Sequence, residues 1–456
     1  MYHILGNMYN KDESNWVIVI TSFKLDGYQH IKKTDIIDDV VVYQYNIKIS
    51  GETNGIIIGQ TILKIPNIMP TLNNTSVYFV SCDGQNTIKY EFGSPKQYYN
   101  VSDDTDMWKK LYIDIEQDTN IFKYVIHIGD QVYMDDAHDE IIKNGNTNNN
   151  DDAMRTYYGV YESNYTNKYK KLVLESAFNI MIQDDHETIN DVCSIPNNLT
   201  QVMIACATKL YTTLQEDLYS IESHNIKYLR FTDFQIIIPD LRKYRKLGND
   251  TSTMYAIIGE QQAKELDTII KNTPISIKRN YYVNTIPFLS LNTNAINIFR
   301  KLTGYSTIYS DAYINNMNYY NERTYILNQL FNLDNVIIIG GDAHYAEYST
   351  LTKLGKEIKH IVTSPISSDP IDIKNSGLVK FGIFALTLFM YEHKIYNIDI
   401  NKKWVVIDYN YLKITNKTAK LCCYDETRSK TISLADDTTT ESLFRPPKQR
   451  LCCCWC

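Results

Sequence analysis

The chain has 456 residues and a net charge of −7 at pH 7. That length allows one large core or two to three domains. A hydrophobic content of 44% with 22% charged residues is typical of a soluble globular protein. The acidic balance argues against a broad nucleic-acid-binding surface, because such a surface needs clustered basic residues.

The cysteines and the first residues indicate the cellular compartment. The nine cysteines follow neither the spacing of a secreted disulfide framework nor that of a zinc site. Residues 1–16 lack a basic segment followed by a long apolar run, so we predict no signal peptide. The longest apolar run, Phe381 to Tyr391, is too short to span a bilayer. We therefore expect an intracellular protein.

Short runs of β-branched and aromatic residues fill residues 1–72. The runs cover 16–20, 40–43, 45–49 and 56–58, and glycines separate them. Pro66 and Pro70 then interrupt the pattern, as in a linker. We expect this part of the chain to form a small all-β accessory domain of sandwich type.

In residues 73–391, apolar strand-like runs alternate with helical patterns. Strands are predicted at 77–80, 124–128, 178–182, 234–238 and 335–339, and helices at 106–116, 165–176, 201–220, 259–271 and 319–330. Residues 144–152 are rich in asparagine and are predicted to form a surface loop. The alternation indicates a layered α/β core with a largely parallel sheet.

Two further segments complete the chain. Residues 392–435 contain short strand-like runs, which we expect to pair and to pack on the core. Residues 436–456 form a polar tail with Arg445, Lys448 and Arg450 before a cysteine cluster at 452–456. The simple interpretation is a flexible tail with incidental thiols. The alternative is acylation of these cysteines, which together with the basic residues would give a peripheral membrane contact.

Four of the predicted strands end in side chains that can bind a metal ion. Each has a simpler explanation when taken alone: a free cysteine is often an inert buried thiol, and an aspartate can cap a helix. Ligands of α/β sheets gather at the carboxyl ends of the strands, so the presence of all four predicts a metal site there. The side chains are Cys82, Asp130 with Tyr133, Asp185 with His186, and Asp342 with His344.

These motifs resemble those of the PhoD-like (alkaline phosphatase D) branch of the calcineurin-like metallophosphatases. The sequence departs from the family at Gln183, where relatives often have tryptophan. Cys82 replaces the Asp-x-His motif of the wider superfamily, so the ligands are carried over from the PhoD-like branch only. The matching stretches are Ser81-Cys82-Asp83, Gly129 to Tyr133, Asp184-Asp185-His186-Glu187 with Asn190-Asp191, and Gly341-Asp342-Ala343-His344.

The resemblance implies a metal cluster. Fe(III) would be held by Cys82, Tyr133 and Asp130, and Asp185, Asp342 and His344 would complete the set with Ca²⁺, Mg²⁺ or Mn²⁺. Asp130 is the best candidate to bridge two metals, because a carboxylate has lone pairs for both. The alternative is a colourless site of Mg²⁺, Ca²⁺ or Zn²⁺ in which Tyr133 only forms hydrogen bonds.

The expected activity is hydrolysis of a small phosphoester, either a monoester or a diester. A metal-bound hydroxide would attack phosphorus in line. His186 would donate a proton to the leaving oxygen or steady the phosphate, and Arg242 would contact the substrate or brace the fold. Two alternatives stay open: a phosphodiesterase for lipid headgroups or nucleotides, and a metal-binding scaffold that has lost catalysis.

Overall fold

A computed structural model describes most of the chain. The predictions that concern Asn190, Asp191, the apolar run 381–391 and the tail 436–456 lie outside the described residues. The described residues are 2–11, 14–37, 40–49, 53–58, 61–84, 88–89, 97–98, 106–145, 147–188, 200–219, 225–245, 255, 257–288, 317–367, 397–398, 404–406 and 408–434.

Strands and helices are numbered in chain order. The strands are β1 (His3–Lys11), β2 (Ser14–Thr21), β3 (Lys32–Ile37), β4 (Val40–Ile49), β5 (Thr53–Ile58), β6 (Thr61–Pro66), β7 (Thr75–Val80), β8 (Ile88–Lys89), β9 (Gln97–Tyr98), β10 (Phe122–Ile128), β11 (Phe178–Ile182), β12 (Ile226–Arg230), β13 (Phe234–Pro239), β14 (Arg279–Val283), β15 (Val336–Gly340), β16 (Ala346–Lys353), β17 (Lys356–Val362), β18 (Asn397–Ile398), β19 (Trp404–Val406), β20 (Asn410–Ile414), β21 (Thr418–Cys423) and β22 (Lys430–Ser433). The helices are α1 (Met107–Gln117), α2 (Asp135–Lys143), α3 (Asn150–Tyr165), α4 (Lys168–Ser176), α5 (Gln201–Leu214), α6 (Gly259–Lys271) and α7 (Met317–Leu330).

The N-terminal strands form antiparallel sheets. One has four strands in the order β1-β2-β4-β3, and β5 pairs with β6 alone. Both faces of β2 are buried: Val17 and Val19 belong to the core that contains Phe79, whereas Ile20 packs with Tyr161 of α3. The four-stranded sheet therefore packs against the rest of the chain on both sides. The domain boundary at residue 72 stays a prediction.

Two sheets form the centre of the molecule. The first has the order β11-β10-β7-β20-β21-β22, in which β11, β10 and β7 run parallel and the C-terminal strands extend the sheet antiparallel. The second has the order β12-β13-β14-β15-β17-β16-β18, with β13, β14, β15 and β17 parallel. The mixed α/β architecture expected from the sequence is confirmed.

Apolar side chains from both sheets share one core. Phe79 and Ile126 of the first sheet pack in the same cluster as Ile236 and Ile339 of the second. Helix α1 covers the outer face of the first sheet, and α6 and α7 cover that of the second. Burying several such side chains provides the main stabilising free energy, at about 25 cal/mol per Å² of apolar surface. None of the described helices is long and apolar enough to cross a membrane.

Three local predictions were wrong. The helix predicted at 165–176 begins at Lys168 as α4, because Asn167 caps it by accepting from the N–H groups of Tyr169 and Lys170. Residues 150–152 begin α3 instead of extending the loop at 144–149, because the Asn149 side chain caps that helix. The helix predicted at 201–220 ends at Leu214 as α5. Within residues 73–391, the elements that were not predicted are β8, β9, β12, β14, β16, β17, α2 and α3.

Candidate metal centre

The predicted strand ends adopt an unusual backbone conformation. Cys82, Asp130 and Asp342 have φ values of 55°, 55° and 58°, in the left-handed region that non-glycine residues rarely occupy. Gly129 has a φ of 91°, and a Cβ at this position would lie 2.5 Å from the Cβ of Asp184. Such strain persists where the surrounding structure enforces it, most often at functional sites.

Asp130 lies at the centre of the predicted ligands. It belongs to three groups of side chains whose ligand atoms lie within 4.8 Å of one another: one with Cys82 and Asp342, one with Asp185 and His186, and one with Asp184, Asp185 and Asp342. The Cys82 Sγ lies 3.4 Å from Asp130 Oδ2. Asp184 was not among the predicted ligands, although it precedes Asp185 directly.

The two remaining predicted ligands are His344 and Tyr133. His344 has a φ of 52° at the end of the same loop as Asp342, but it belongs to none of the three groups. Its backbone N–H donates to Ser364 Oγ at 3.1 Å. The ring of Tyr133 lies against that of His186, with centroids 4.0 Å apart and ring planes inclined by 31°. The ligand roles of His344 and Tyr133 stay predictions.

The buried acids fit a bound cation. Asp130 is fully buried, and its Oδ1 has no hydrogen-bond partner among the described residues. Burial, and after it the neighbouring Cys82, raises the pKa of Asp130 well above its usual value. Burial and the charge of Asp342 raise the pKa of the Cys82 thiol to about 12. A metal ion would satisfy the orphaned oxygen and stabilise the ionised forms of both groups.

Arg242 binds the acid pair after β11. Its Nε donates to Asp184 Oδ1, and its Nη2 lies 3.5 Å from Asp185 Oδ1. Thr285, which follows β14, also donates to Asp184 Oδ1, at 2.8 Å. The side chain of Arg242 is only 7% exposed. This geometry favours the bracing role for Arg242 over direct contact with a substrate.

Glu187 joins two of the loops. Its carboxylate accepts from the backbone N–H groups of Gln131 and Asp184, each at 2.7 Å, and of Asp130 at 3.3 Å. Burial raises the pKa of Glu187 to about 7. The three N–H groups come from the two loops that carry Asp130 and Asp185, so Glu187 fixes their relative position.

His186 is held by a carboxylate that the sequence analysis missed. Its Nδ1 lies 2.6 Å from Asp135 Oδ2, at the start of α2. Burial alone would lower the pKa of His186, but the charges of Asp185 and Asp130 and the bond to Asp135 raise it well above its usual value. In the sequence, only the position of Asp135 two residues after Tyr133 indicated that Asp135 could lie near the site.

A buried ion pair lies behind the centre. Lys170 Nζ is 2.5 Å from Asp83 Oδ2, and both side chains are buried. Lys170 also donates to the backbone oxygen of Gln131 at 3.1 Å. It therefore connects the residue after Cys82 to the residue after Asp130. No sequence signal marks Lys170, because it lies in an ordinary amphipathic helix, α4.

Comparison with known proteins gives structural matches only. No protein-family model and no curated protein matches the sequence significantly. A solved structure of PhoD matches with 14% identity and a TM-score of 0.57 over 95% of this chain and 88% of that chain. The purple acid phosphatase PPD1 from yellow lupin (Lupinus luteus) seeds matches with 11% identity and a TM-score of 0.52 over 95% of this chain and 74% of that chain. The resemblance inferred from the motifs is thus confirmed at the level of the fold, which this chain shares with PhoD and with a purple acid phosphatase.

Proposed function

We propose that the chain is a metal-dependent phosphoesterase that hydrolyses monoesters, diesters or both. The observation that carries the proposal is the convergence of acids and a thiol on Asp130, whose Oδ1 is buried without a hydrogen-bond partner among the described residues. The fold shared with two phosphatases supports the same conclusion.

The ligands divide by chemistry. Cys82 and Tyr133, with Asp130, would hold Fe(III), since thiolate and phenolate are anionic donors that suit a highly charged ion. Asp185, Asp342 and His344 would complete the set with Ca²⁺, Mg²⁺ or Mn²⁺. Bound metals lower the pKa of a water to near neutrality and balance the charge on phosphoryl oxygens.

The chain's own residues perform the remaining tasks. His186 would act as the general acid that donates a proton to the leaving oxygen. Asp135 accepts from Nδ1 and leaves Nε2 available for that proton transfer. Arg242 and Thr285 hold Asp184, so the acid loop stays in place during the reaction.

Hydrolysis of p-nitrophenyl phosphate and of bis-p-nitrophenyl phosphate tests the proposal and separates monoester from diester activity. We expect turnover on at least one substrate, its loss after chelation and its recovery when metal is restored. A chain that retains its metals but hydrolyses neither substrate would be the catalytically inactive scaffold, and the proposal would be wrong.

A further inference from the structure

Two aliphatic side chains are exposed at the edge of the molecule opposite the candidate centre. Ile275 is 103% exposed and Leu354 is 96% exposed. Ile275 lies in the loop before β14, and Leu354 lies in the turn before β17. Both strands run parallel in the second sheet, so their amino ends share one edge. The predicted ligands lie at the carboxyl ends, on the far side of the sheets.

The two loops lead into strands that start close together in the sheet. Only β15 lies between β14 and β17 in the sheet. Adjacent strands are about 4.8 Å apart, so the two strand starts are about 10 Å apart. Two isolated, fully exposed aliphatic residues at protruding tips do not form a groove. They suit insertion into a soft apolar layer.

Lysines precede and follow both exposed residues in the sequence. Lys271 and Lys278 flank Ile275, and Lys353 and Lys356 flank Leu354. Neither segment, 271–278 or 353–356, contains an acidic residue, although the whole chain carries −7. Acids also lie at this edge: Asp334 is 3.1 Å from Lys356, Glu357 is 3.3 Å from Lys359, and the backbone oxygen of Asp233 accepts from the N–H of Lys278 at 2.7 Å. Asp334 neutralises Lys356, so the excess positive charge comes from Lys271, Lys278 and Lys353, which outnumber Asp233.

Two more exposed aliphatic residues lie in loops that lead into the first sheet. Ile121, directly before β10, is 51% exposed, and Ile68, in the loop between β6 and β7, is 47% exposed. Arg279, the first residue of β14, donates from Nη2 to the backbone oxygen of Leu434 at 3.1 Å.

We propose that this docking edge, formed by Ile275, Leu354 and their flanking lysines, binds the surface of a bilayer that contains anionic lipids. The aliphatic tips enter the boundary between headgroups and acyl chains, and the lysines contact the headgroups. A protein interface of standard size has a packed core rich in aromatic residues and arginine, which these isolated tips do not provide. The contact needs no acylation of the C-terminal cysteines.

Vesicle sedimentation tests the proposal with the full-length, unacylated chain. We expect binding to vesicles of phosphatidylcholine with phosphatidylserine, weak binding to phosphatidylcholine alone, and weaker binding at high salt. The double variant Ile275→Ser with Leu354→Ser should bind at least about tenfold more weakly, because two apolar side chains no longer insert. Lys271→Ala and Lys278→Ala should each weaken binding by about fivefold.

Ile31→Ser is the matched control. Ile31 is 45% exposed and is followed by Lys32 and Lys33, but it lies in the N-terminal part of the chain. The Ile31→Ser variant should bind vesicles like the wild type, and all variants should unfold at the same temperature because these side chains are exposed.

Equal binding of the Ile275/Leu354 double variant and the wild type would overturn the proposal. The proposal would also be overturned if Ile31→Ser lost as much vesicle binding as the double variant, or if the wild type did not bind the anionic vesicles. Self-association that the double variant abolishes, without vesicle binding, would assign the edge to a second copy of the chain instead.

Discussion

Replacing Lys170 by methionine tests whether the buried ion pair supports the loops of the candidate centre. Lys170 is 0% exposed and Asp83 is 3% exposed, with 2.5 Å between Nζ and Oδ2. Methionine keeps much of the side-chain length but removes the cation. The Asp83 carboxylate would then keep its bonds from Trp108 Nε1 at 3.0 Å and Asn164 Nδ2 at 3.2 Å, but without a counter-charge.

Removing one partner of a buried pair costs about 3–5 kcal/mol. We expect Lys170→Met to lower the free energy of unfolding by an amount in this range, because the variant also loses the hydrogen bond from Lys170 to the Gln131 backbone oxygen. The double variant Lys170→Met with Asp83→Asn leaves no unpaired charge, so it should recover most of the loss. Loosening of both loops should also reduce the amount of metal bound.

Urea-induced unfolding of the metal-free chain measures these free energies. Lys264→Met is the control, since Lys264 and Glu260 form an exposed pair with side chains 74% and 68% accessible. Such pairs contribute about 0–1 kcal/mol. If Lys170→Met costs no more than this control, the ion pair does not support the fold. If the double variant is as unstable as the single one, an unpaired Asp83 is not the cause.

Three further predictions concern the site and its surroundings. His186→Ala should lower kcat on substrates with poor leaving groups by roughly 10² to 10⁴, and less on nitrophenyl esters, in steady-state assays. The purified protein should be coloured by a phenolate-to-Fe(III) charge-transfer band, and Tyr133→Phe should bleach it, as absorption spectra would show. Burial, and after it the charge of Lys170, lowers the pKa of His127 to about 3. The unfolded chain takes up this proton below about pH 6.5, whereas the folded chain does so only near pH 3. The free energy of unfolding should therefore decrease as the pH is lowered from about 6.5 to about 3, by about 1.4 kcal/mol per pH unit. His127→Leu should lack that part of the slope in urea unfolding.

Each of these predictions has a contradicting result. An equal loss on good and poor leaving groups would mean that His186 holds a metal or the fold. A colourless, iron-free and fully active protein would refute the iron assignment and leave the phosphoesterase proposal intact. An unchanged pH slope in His127→Leu would show that His127 gains its proton at the same pH in both states.

The convergence of the site could be predicted because it depends on local rules. Apolar runs such as Val77–Val80 predict buried strands, and β7 is buried along its whole length. Parallel strands place their carboxyl ends at one edge, so residues that follow them, such as Cys82 and Asp130, meet there.

Strand β14 could not be predicted, because its polar residues are satisfied by distant parts of the chain. Arg279 and Asn280 are buried. The first donates to the backbone oxygen of Thr415 at 3.2 Å, and the second accepts from Gln235 Nε2 at 2.7 Å. Asp135 and Lys170 were missed for the same reason: their partners lie far away in sequence.

Metal content measured beside turnover in Asp130→Asn tests whether Asp130 holds the metals of a hydrolytic centre. Asp130 belongs to all three ligand groups, so the amide should reduce the metal bound per chain and abolish most hydrolysis. Asp118→Asn is the control, because Asp118 is a buried carboxylate that bonds Tyr78 and Lys413 instead of the centre. Asp118→Asn should keep both metal and activity. An Asp130→Asn protein with full metal content and full turnover would show that Asp130 does not hold the metals.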